Sequence, residues 1–229
     1  MIEKADISVV IPAYNEAPVV GEVVRSILQC GFARVIVVDD GSKDNTAGVA
    51  GRAGAIVLSH PINRGAGAAA QTGIAYARRR GYAYLVQIDA DGQHFPADIE
   101  AMAARMAATG CDIVIGSRWL GRNTGVPATR VAYNRISNWF TNFFCRSSYT
   151  DSQSGMRLLN RRAIEKLQLH LDGFGYCSEM IVQAEQQQLK IAEVPIRVAY
   201  TEYSMSKGQD LQMGITTAMN LLWKLIFQR

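Results

Sequence analysis

The sequence predicts an α/β fold in which a mainly parallel central sheet is covered by helices on both faces. Apolar, β-branched runs without strict alternation are separated by stretches of helical periodicity, a pattern typical of strands buried on both sides. Polar residues follow three of these runs directly, and the carboxyl ends of parallel strands meet at one crevice. With 229 residues and no linker, repeat or low-complexity segment, the chain is predicted to form a single domain, 1–229.

The first half of the chain alternates strands with helices. Apolar runs predict strands at residues 7–11, 35–38, 55–58, 83–88 and 112–115. Helical periodicity predicts helices at residues 17–29, 45–52, 67–79 and 97–108, the last opened by Pro96 in its first turn. Strands that are joined through helices in this way are expected to lie parallel.

The second half is less regular. We predict helices at residues 131–145, 162–167 and 178–188, and a strand at 191–198 that Pro195 interrupts. A final amphipathic helix is predicted at about 209–227. The aromatic residues of 131–145 recur at helical spacing, so this helix either packs into the core or lies on a membrane surface. The final helix leaves the same two alternatives open.

Composition and charge argue against several classes of protein. The formal net charge of +4 favours phosphate-bearing partners or an anionic membrane surface, but it is too small to indicate nucleic acid. Four cysteines without a Cys-x-x-Cys pair and three scattered histidines argue against a disulfide framework or a zinc site, as in a reduced cytosolic protein. We find no signal peptide and no apolar stretch of about 20 residues, so the chain is expected to lie on a membrane rather than span it.

Two carboxylates one residue apart, Asp89 and Asp91, follow the apolar run 82–87. A hard cation such as Mg²⁺ or Mn²⁺ takes oxygen ligands and is usually held by one or two carboxylates together with substrate phosphates. The pair therefore predicts a metal that binds a diphosphate. A turn or a helix cap is the alternative reading, because Asp-Gly is a common turn dipeptide.

Two further strand ends carry polar residues. After the first strand, Tyr14 is suited to stack on a nucleobase, and Glu16 begins the next helix. After the second strand, the carboxylates of Asp39 and Asp40 are able to accept hydrogen bonds from a nucleobase or a ribose, while Asp44 is suited to cap the next helix. Plain strand-to-helix turns remain the alternative at both positions.

A glycine-rich loop at 63–67, Asn-Arg-Gly-Ala-Gly, opens a helix and is predicted to approach a phosphate or a sugar. It is not a Rossmann fingerprint, because it follows the third strand and lacks the third glycine. No Gly-x-x-x-x-Gly-Lys-Ser/Thr sequence occurs, so a P-loop is excluded.

Eight segments, in order from residue 7 to about residue 207, resemble the family 2 glycosyltransferases of GT-A fold. Within that family the likeness is to the branch of dolichyl-phosphate mannose synthase and the bacterial polyprenyl-phosphate glycosyltransferases. The segments are Val-Val-Ile-Pro-Ala-Tyr-Asn-Glu, Val-Val-Asp-Asp-Gly-Ser-Lys-Asp-Asn-Thr, Asn-Arg-Gly-Ala-Gly, Asp-Ala-Asp-Gly-Gln-His, Gly-Ser-Arg, Asp-Ser-Gln-Ser-Gly-Met-Arg, Glu-Val-Pro and Ser-Lys.

The resemblance implies an inverting, metal-dependent transfer of a hexosyl unit from a GDP- or UDP-linked sugar to a polyprenyl or dolichyl phosphate. For the donor side it implies that Pro12, Tyr14 and Glu16 line the nucleotide pocket, that Asp40 reads the base, that Asp89 faces the ribose or the metal, and that Asp91 and Gln93 hold Mg²⁺ or Mn²⁺.

For the acceptor side the resemblance makes Arg118, Arg135 and Lys207 candidates to hold the acceptor phosphate or the leaving diphosphate, with surface solvation as the alternative. Asp151 is the candidate base. Because a lipid phosphate is already anionic, Asp151 has the alternative role of orienting other groups. Family members that act on sugar hydroxyls carry a Glu-Asp pair here, and this chain lacks that Glu, which favours a phosphate acceptor. Arg157 is expected to fix the segment, with Glu179 as one candidate partner.

The resemblance also implies a cytoplasmic protein attached peripherally to the inner face of the membrane, by its own surface, as a homo-oligomer or through a membrane-protein partner. Two rival functions keep the nucleotide-sugar site. One is a family 2 glycosyltransferase with a saccharide or lipid hydroxyl as acceptor, and the other is a catalytically inactive nucleotide-sugar-binding protein.

Overall fold

The computed structural model describes residues 2–121, 128–199 and 203. The predictions for Lys207 and for the helix at about 209–227 lie outside these residues.

A seven-stranded sheet forms the centre of the described structure. Its strands in chain order are β1 (Ile7–Ala13), β2 (Arg34–Asp39), β3 (Ile56–Ser59), β4 (Tyr84–Gln87), β5 (Ile113–Ser117), β6 (Arg157–Asn160) and β7 (Ile191–Pro195). Their spatial order is β3-β2-β1-β4-β6-β5-β7. Only β6 is antiparallel to its neighbours β4 and β5 among these strands, so the sheet is mainly parallel, as predicted.

Helices cover both faces of this sheet. They are α1 (Val20–Gln29), α2 (Thr46–Arg52), α3 (Ala66–Arg80), α4 (Asp98–Thr109), α5 (Ala128–Phe143), α6 (Arg161–Lys166) and α7 (Tyr176–Gln186), and a short 3₁₀ turn (Lys4–Asp6) precedes β1. Helices α3 and α4 each end at a glycine with positive φ, Gly81 at 71° and Gly110 at 61°, which is the left-handed conformation that terminates many helices.

The hydrophobic core has two parts, one on each face of the sheet. Alternate residues of β1 point to opposite sides, so that Val9 and Ile11 pack with α1 and α4, whereas Val10 packs with α3, α6 and α7. Burial on both faces is the physical reason that this strand reads as a continuous apolar run instead of an alternating one.

All five strands predicted in the first half are present, and the helices overlap their predicted ranges. Strand β6 was not predicted, because it offers only Leu158 and Leu159 as neighbouring apolar residues, between Arg157, which is buried, and Asn160, which is half-buried. The strand predicted at 191–198 ends at Pro195, and Val198 lies beyond it in an isolated bridge with His94. Among the described residues, no helix combines the length and the apolar character needed to cross a bilayer.

Candidate active site

The predicted crevice lies at the edge of the sheet where the carboxyl ends of the parallel strands are found. The carboxyl ends of β2, β1 and β4 are neighbours, and they carry Asp39, Ala13 and Gln87. Strand β5 is parallel to these, because β6 is antiparallel to both β4 and β5. Arg118, the residue after β5, therefore lies at the same edge as Asp89.

Asp89 and Asp91 follow β4 in a tight turn. The Asp89 side chain keeps 43% of its surface exposed, and His94 Nε2 lies 3.4 Å from its Oδ2 atom. The backbone N–H of Gln93 donates to Asp91 Oδ1 at 3.0 Å, and the Gln93 side chain is buried beside this turn. The structure thus gathers the three residues that the sequence predicts as a metal site.

The electrostatics of this turn favour a cation. Burial first, and then the negative charge of Asp89, raise the pKa of Asp91 from 3.8 to about 6, and the charge of Glu16 adds to this effect. Burial opposes ionisation of Asp89 as well, yet the hydrogen bond from His94 and the positive charges of Arg118 and Arg157 hold the pKa of Asp89 below its ordinary value. Two crowded carboxylates of this kind form an oxygen donor set that fits Mg²⁺ or Mn²⁺ completed by phosphate oxygens.

The residues predicted to line the nucleotide pocket lie at the end of β1. Tyr14 is exposed and Pro12 is half-buried, so both present a surface to the crevice edge. Glu16 is buried, and its Oε2 atom accepts a hydrogen bond from Tyr203 Oη at 2.7 Å. No sequence pattern indicates this role of Tyr203, since nothing in its local sequence connects it with a residue 187 positions earlier.

Asp40 is buried and its carboxylate is occupied by the chain itself. Oδ1 accepts the backbone N–H of Arg64 at 3.0 Å, Oδ2 accepts that of Gly65 at 2.6 Å, and His60 Nδ1 lies 2.6 Å from Oδ1. This arrangement makes Asp40 an anchor for the glycine-rich loop, a role that the sequence analysis did not assign to it.

The glycine-rich loop uses several of its backbone donors within the chain. The N–H groups of Gly67 and Ala68, in the first turn of α3, donate to the carbonyl oxygen of Asp172 at 2.7 and 3.2 Å. Gly65 has a φ of 114°, and a Cβ atom at Gly65 or at Gly67 would overlap backbone atoms of 171–173. Four backbone donors of residues 64–68 are therefore used within the chain, and the glycines of the loop let the chain's own backbone approach. That the loop approaches a phosphate or a sugar stays a prediction.

On the other side of the crevice, Asp151 and Arg118 form a buried ion pair. Arg118 Nε and Nη2 each donate to Asp151 at 2.7 Å, one to each carboxylate oxygen, and the backbone N–H of Arg118 donates at 2.9 Å. Asp151 is fully buried, whereas the Arg118 side chain keeps 16% of its surface exposed. A carboxylate with both oxygens held in this way fits the orienting role better than the role of a base.

Arg157 fixes the same segment, but not through the partner suggested by the sequence. Its fully buried guanidinium donates to three carbonyl oxygens, those of Ser152, Ser154 and Cys177, at 2.7 to 3.0 Å. The proposed ion pair with Glu179 is wrong, because the Glu179 carboxylate accepts the backbone N–H groups of 170 and 171 instead.

Helix α5 exposes part of its aromatic stripe. Ile136, Trp139 and Phe143 are all exposed, at spacings of three and four residues that place them on one face of the helix. Arg135 lies exposed beside this face. Of the two alternatives left open for the stripe, burial in the core is thus excluded for these three residues. Lys207, the remaining acceptor-side candidate, lies outside the described part of the chain.

Comparison with known proteins gives a consistent result. A model of the family "Glycosyl transferase family 2" matches residues 8–168. The UDP-N-acetylglucosamine–dolichyl-phosphate N-acetylglucosaminyltransferase of Methanococcus voltae is 33% identical, over 94% of this chain and 94% of that protein. The polyprenol monophosphomannose synthase of Mycolicibacterium smegmatis is 32% identical, over 87% of this chain and 79% of that protein.

Among solved structures, one similar chain is glucosyl-3-phosphoglycerate synthase from Mycobacterium tuberculosis in complex with Mn²⁺, UDP and glucosyl-3-phosphoglycerate. The TM-score is 0.73 at 21% identity, over 96% of this chain and 78% of that one. A likeness at this level of identity concerns the fold alone, and it confirms the predicted GT-A fold class.

Proposed function

The chain belongs to glycosyl transferase family 2, and from that membership we propose that it moves a hexosyl unit from a GDP- or UDP-linked sugar to a polyprenyl phosphate, with inversion at the anomeric carbon. The named relatives support this acceptor class, since their names specify dolichyl phosphate and polyprenol monophosphate. The observation that carries the proposal is that Asp89, Asp91 and the Arg118–Asp151 pair all lie at one edge of the sheet.

On the donor side, Asp89, Asp91 and Gln93 would hold Mg²⁺ or Mn²⁺ against the diphosphate. When bound there, the cation acts as a Lewis acid for the charge that develops on the leaving nucleoside diphosphate. His94 orients Asp89 through its Nε2 atom, and Tyr14 and Pro12 provide the surface on which the nucleotide rests. Asp40 supports this pocket by anchoring the loop at 63–67, in place of the base-reading role that the resemblance implies.

On the acceptor side, Arg118 supplies the positive charge that holds the acceptor phosphate. Asp151 orients this guanidinium, and Arg135 is a second candidate on the exposed side of α5. A phosphate oxygen of the lipid forms the new bond to the anomeric carbon, while the bond from that carbon to the diphosphate oxygen breaks and the nucleoside diphosphate leaves. The attacking phosphate is already anionic, so this transfer needs no general base.

The exposed face of α5 provides the contact with the membrane that carries the lipid. Trp139 and Phe143 are amphipathic or apolar aromatic residues of the kind that lie at the level of the lipid headgroups, and Arg135 beside them favours anionic lipids. We place the enzyme peripherally on the cytoplasmic face of the membrane, where nucleotide sugars are available.

The test is a transfer assay with radiolabelled donors. The purified protein is mixed with a short polyprenyl phosphate, Mn²⁺ or Mg²⁺, and in turn GDP-mannose, UDP-glucose and UDP-N-acetylglucosamine. The proposal predicts an organic-extractable labelled product with one of these donors, which EDTA abolishes. Nucleotide binding without any lipid product would support the saccharide-acceptor or the binding-only alternative instead.

A further inference from the structure

Residues 150–157, which we call the bridging segment, enter the sheet between the two halves of the site. The segment leads into β6, which lies between β4 and β5 in the sheet. Arg157 is in register with Gln87 on one side and with Ile115 on the other. Asp89 lies two residues after Gln87 in the chain, and Arg118 lies three residues after Ile115. The bridging segment is thus in a position to touch both.

At its first end the bridging segment is held by Glu193 on the edge strand β7. The Glu193 carboxylate accepts the backbone N–H groups of Thr150 and Asp151, at 3.0 and 3.1 Å, and the hydroxyl of Thr150 at 2.9 Å. Asp151 in turn holds Arg118 by three hydrogen bonds. Glu193 therefore acts on Arg118 through Asp151.

At its other end the bridging segment lies directly against Asp89. A Cβ atom at Gly155 would overlap both carboxylate oxygens of Asp89. Any side chain at this position would displace that carboxylate, so the glycine sets where Asp89 lies.

Arg157, the last residue of the bridging segment, folds back and holds the middle of the segment in place. Its guanidinium donates to the carbonyl oxygens of Ser152 and Ser154, within the segment, and of Cys177 on α7. These carbonyl oxygens are buried together with the charge that they accept, so releasing any one of them is costly. The middle of the segment is thereby held in place, so that a local change at one end does not displace the other end.

We propose that the bridging segment fixes Asp89 and Arg118 relative to one another, with Gly155 as the positioning residue for Asp89 and Glu193 as the positioning residue for Arg118. The proposal rests on the proposed function only in assigning Asp89 to the metal side and Arg118 to the acceptor side. Placement matters because a misplacement of about 1 Å between reacting groups costs about 100-fold in rate.

The role of Gly155 is tested by Gly155→Ala, with Gly51→Ala as the matched control. A Cβ atom at Gly51, on α2, would only make an ordinary contact with Val57 at 3.7 Å. Binding of Mn²⁺ in the presence of UDP, and separately of GDP, is measured by electron paramagnetic resonance. We expect Gly155→Ala to weaken Mn²⁺ binding at least about 10-fold, and the control to stay within about twofold of the wild type.

A double-mutant cycle with Asp89→Ala tests the contact itself by thermal unfolding. Because Asp89→Ala removes the atoms that a new Cβ would meet, Gly155→Ala is expected to lower the melting temperature much less in that background than in the wild type. If Gly155→Ala does not fold alone, folding of the double variant supports the same coupling. Additive losses, a double variant that stays unfolded, or wild-type Mn²⁺ binding by Gly155→Ala would overturn the proposal.

The role of Glu193 is tested by Glu193→Gln, with Glu185→Gln as the matched control. Glu185 also uses its carboxylate to accept two backbone N–H groups, those of 146 and 147, and a hydroxyl, that of Tyr149, but it does not hold Asp151. We expect Glu193→Gln to raise the KM for polyprenyl phosphate at least about fivefold with the donor KM and Mn²⁺ binding unchanged, while Glu185→Gln leaves the acceptor KM unchanged.

Equal acceptor KM values for the two glutamine variants, or an equal rise in donor and acceptor KM for Glu193→Gln, would contradict a positioning role for Glu193. A wild-type protein that binds Mn²⁺ with a nucleoside diphosphate but makes no glycolipid would instead refute the proposed function. In that event the double-mutant cycle and the Mn²⁺ titration still decide the role of Gly155.

Discussion

At the scale of single residues, Asp91 is a carboxylate whose ionised form is destabilised in the folded, metal-free protein. Its pKa in the folded protein is about 6, above its ordinary value of 3.8. The folded protein therefore binds this proton more tightly than the unfolded chain does, and stability is lost as the pH rises from about 4 through about 6. Above that interval the metal-free protein carries the full penalty.

We predict that Asp91→Asn makes the metal-free protein more stable at pH 7.5, by about 1–3 kcal/mol, because the neutral amide avoids this penalty while keeping an oxygen for the Gln93 N–H. The gain should shrink towards pH 4, where Asp91 is protonated in the folded wild type. Urea unfolding of both proteins in EDTA at the two pH values measures this. A gain that is absent at pH 7.5, or equal at both pH values, would contradict the electrostatic account.

Asp151 offers a second residue-scale prediction. In Asp151→Asn the buried Arg118 loses a bidentate partner, which we expect to cost about 3 kcal/mol of unfolding free energy. Asp98→Asn is the matched control, because Arg197 donates the same set of two guanidinium bonds and one backbone bond to Asp98, while the Arg197 side chain itself is 62% exposed. For Asp98→Asn the expected loss of unfolding free energy is below about 1 kcal/mol.

The kinetics of Asp151→Asn distinguish an orienting group from a base. An orienting role predicts a raised acceptor KM and a pH–rate profile of unchanged shape. A fall in kcat of about 100-fold or more at unchanged acceptor KM would restore Asp151 as the general base.

Residue patterns in the sequence predicted the proximity of the proposed metal-side residues better than the contacts of the proposed acceptor-side residues. Asp89, Asp91 and Gln93 are neighbours in the chain, so their approach to one another follows from a single turn. The Arg118–Asp151 pair spans 33 positions, and Glu193 reaches Asp151 across 42, so no local pattern contains these contacts. The motifs that contain these residues could be recognised in the sequence. Which partner each carboxylate binds, however, depends on the strand order.

At the scale of secondary structure elements, the exposed face of α5 is predicted to bind membranes. We expect Ile136→Ser to weaken binding to vesicles containing anionic lipid about 10-fold, because the variant loses one apolar side chain that would be buried in the interface. Ile62→Ser is the control, since both isoleucines are 67% exposed and Ile62 lies on a loop away from α5. Vesicle sedimentation measures both.

Neither serine variant should change the unfolding free energy by more than about 0.5 kcal/mol, because both side chains are already in water. Equal vesicle binding by the two variants would show that α5 is not the membrane contact.

Elements were predictable wherever one periodicity dominated. The buried parallel strands read as continuous apolar runs, and the helices between them as amphipathic stretches. Strand β6 was not predicted because it begins with a charged residue, Arg157. The burial of Arg157 depends on hydrogen bonds from its guanidinium to the carbonyl groups of three other residues. The internal contacts of the glycine-rich loop were missed for a related reason, since its glycines allow the approach of 171–173, which is distant in sequence.

At the scale of the whole molecule, the site joins the two halves of the chain. The proposed nucleotide side comes from β1, β2 and β4, and the proposed acceptor side from β5 and from the segment before β6, with β7 next to β5. The strand order, with β6 inserted between β4 and β5, is what brings them together. Hydrophobic periodicity predicts the fold class, but it does not predict this strand order.

Cation and nucleotide together should stabilise the whole fold by mass action. At concentrations about 100-fold above Kd, a ligand specific for the folded state adds about 2.7 kcal/mol. We predict a rise in melting temperature with Mn²⁺ plus UDP or GDP that EDTA reverses and Asp91→Asn lacks. Calorimetry measures the shift, and an equal rise in the Asp91→Asn variant would place the ligand elsewhere.

The central claim is that the acceptor is a lipid phosphate attacked at the site of Asp89, Asp91 and Arg118. The most direct measurement compares a short polyprenyl phosphate with the polyprenol of the same chain length as acceptors, using one labelled donor and Mn²⁺, in the wild type and in Asp91→Asn. The account predicts a labelled phosphodiester from the polyprenyl phosphate alone, and a loss of at least about 100-fold in Asp91→Asn. Transfer to the free alcohol, or undiminished transfer by Asp91→Asn, would contradict it.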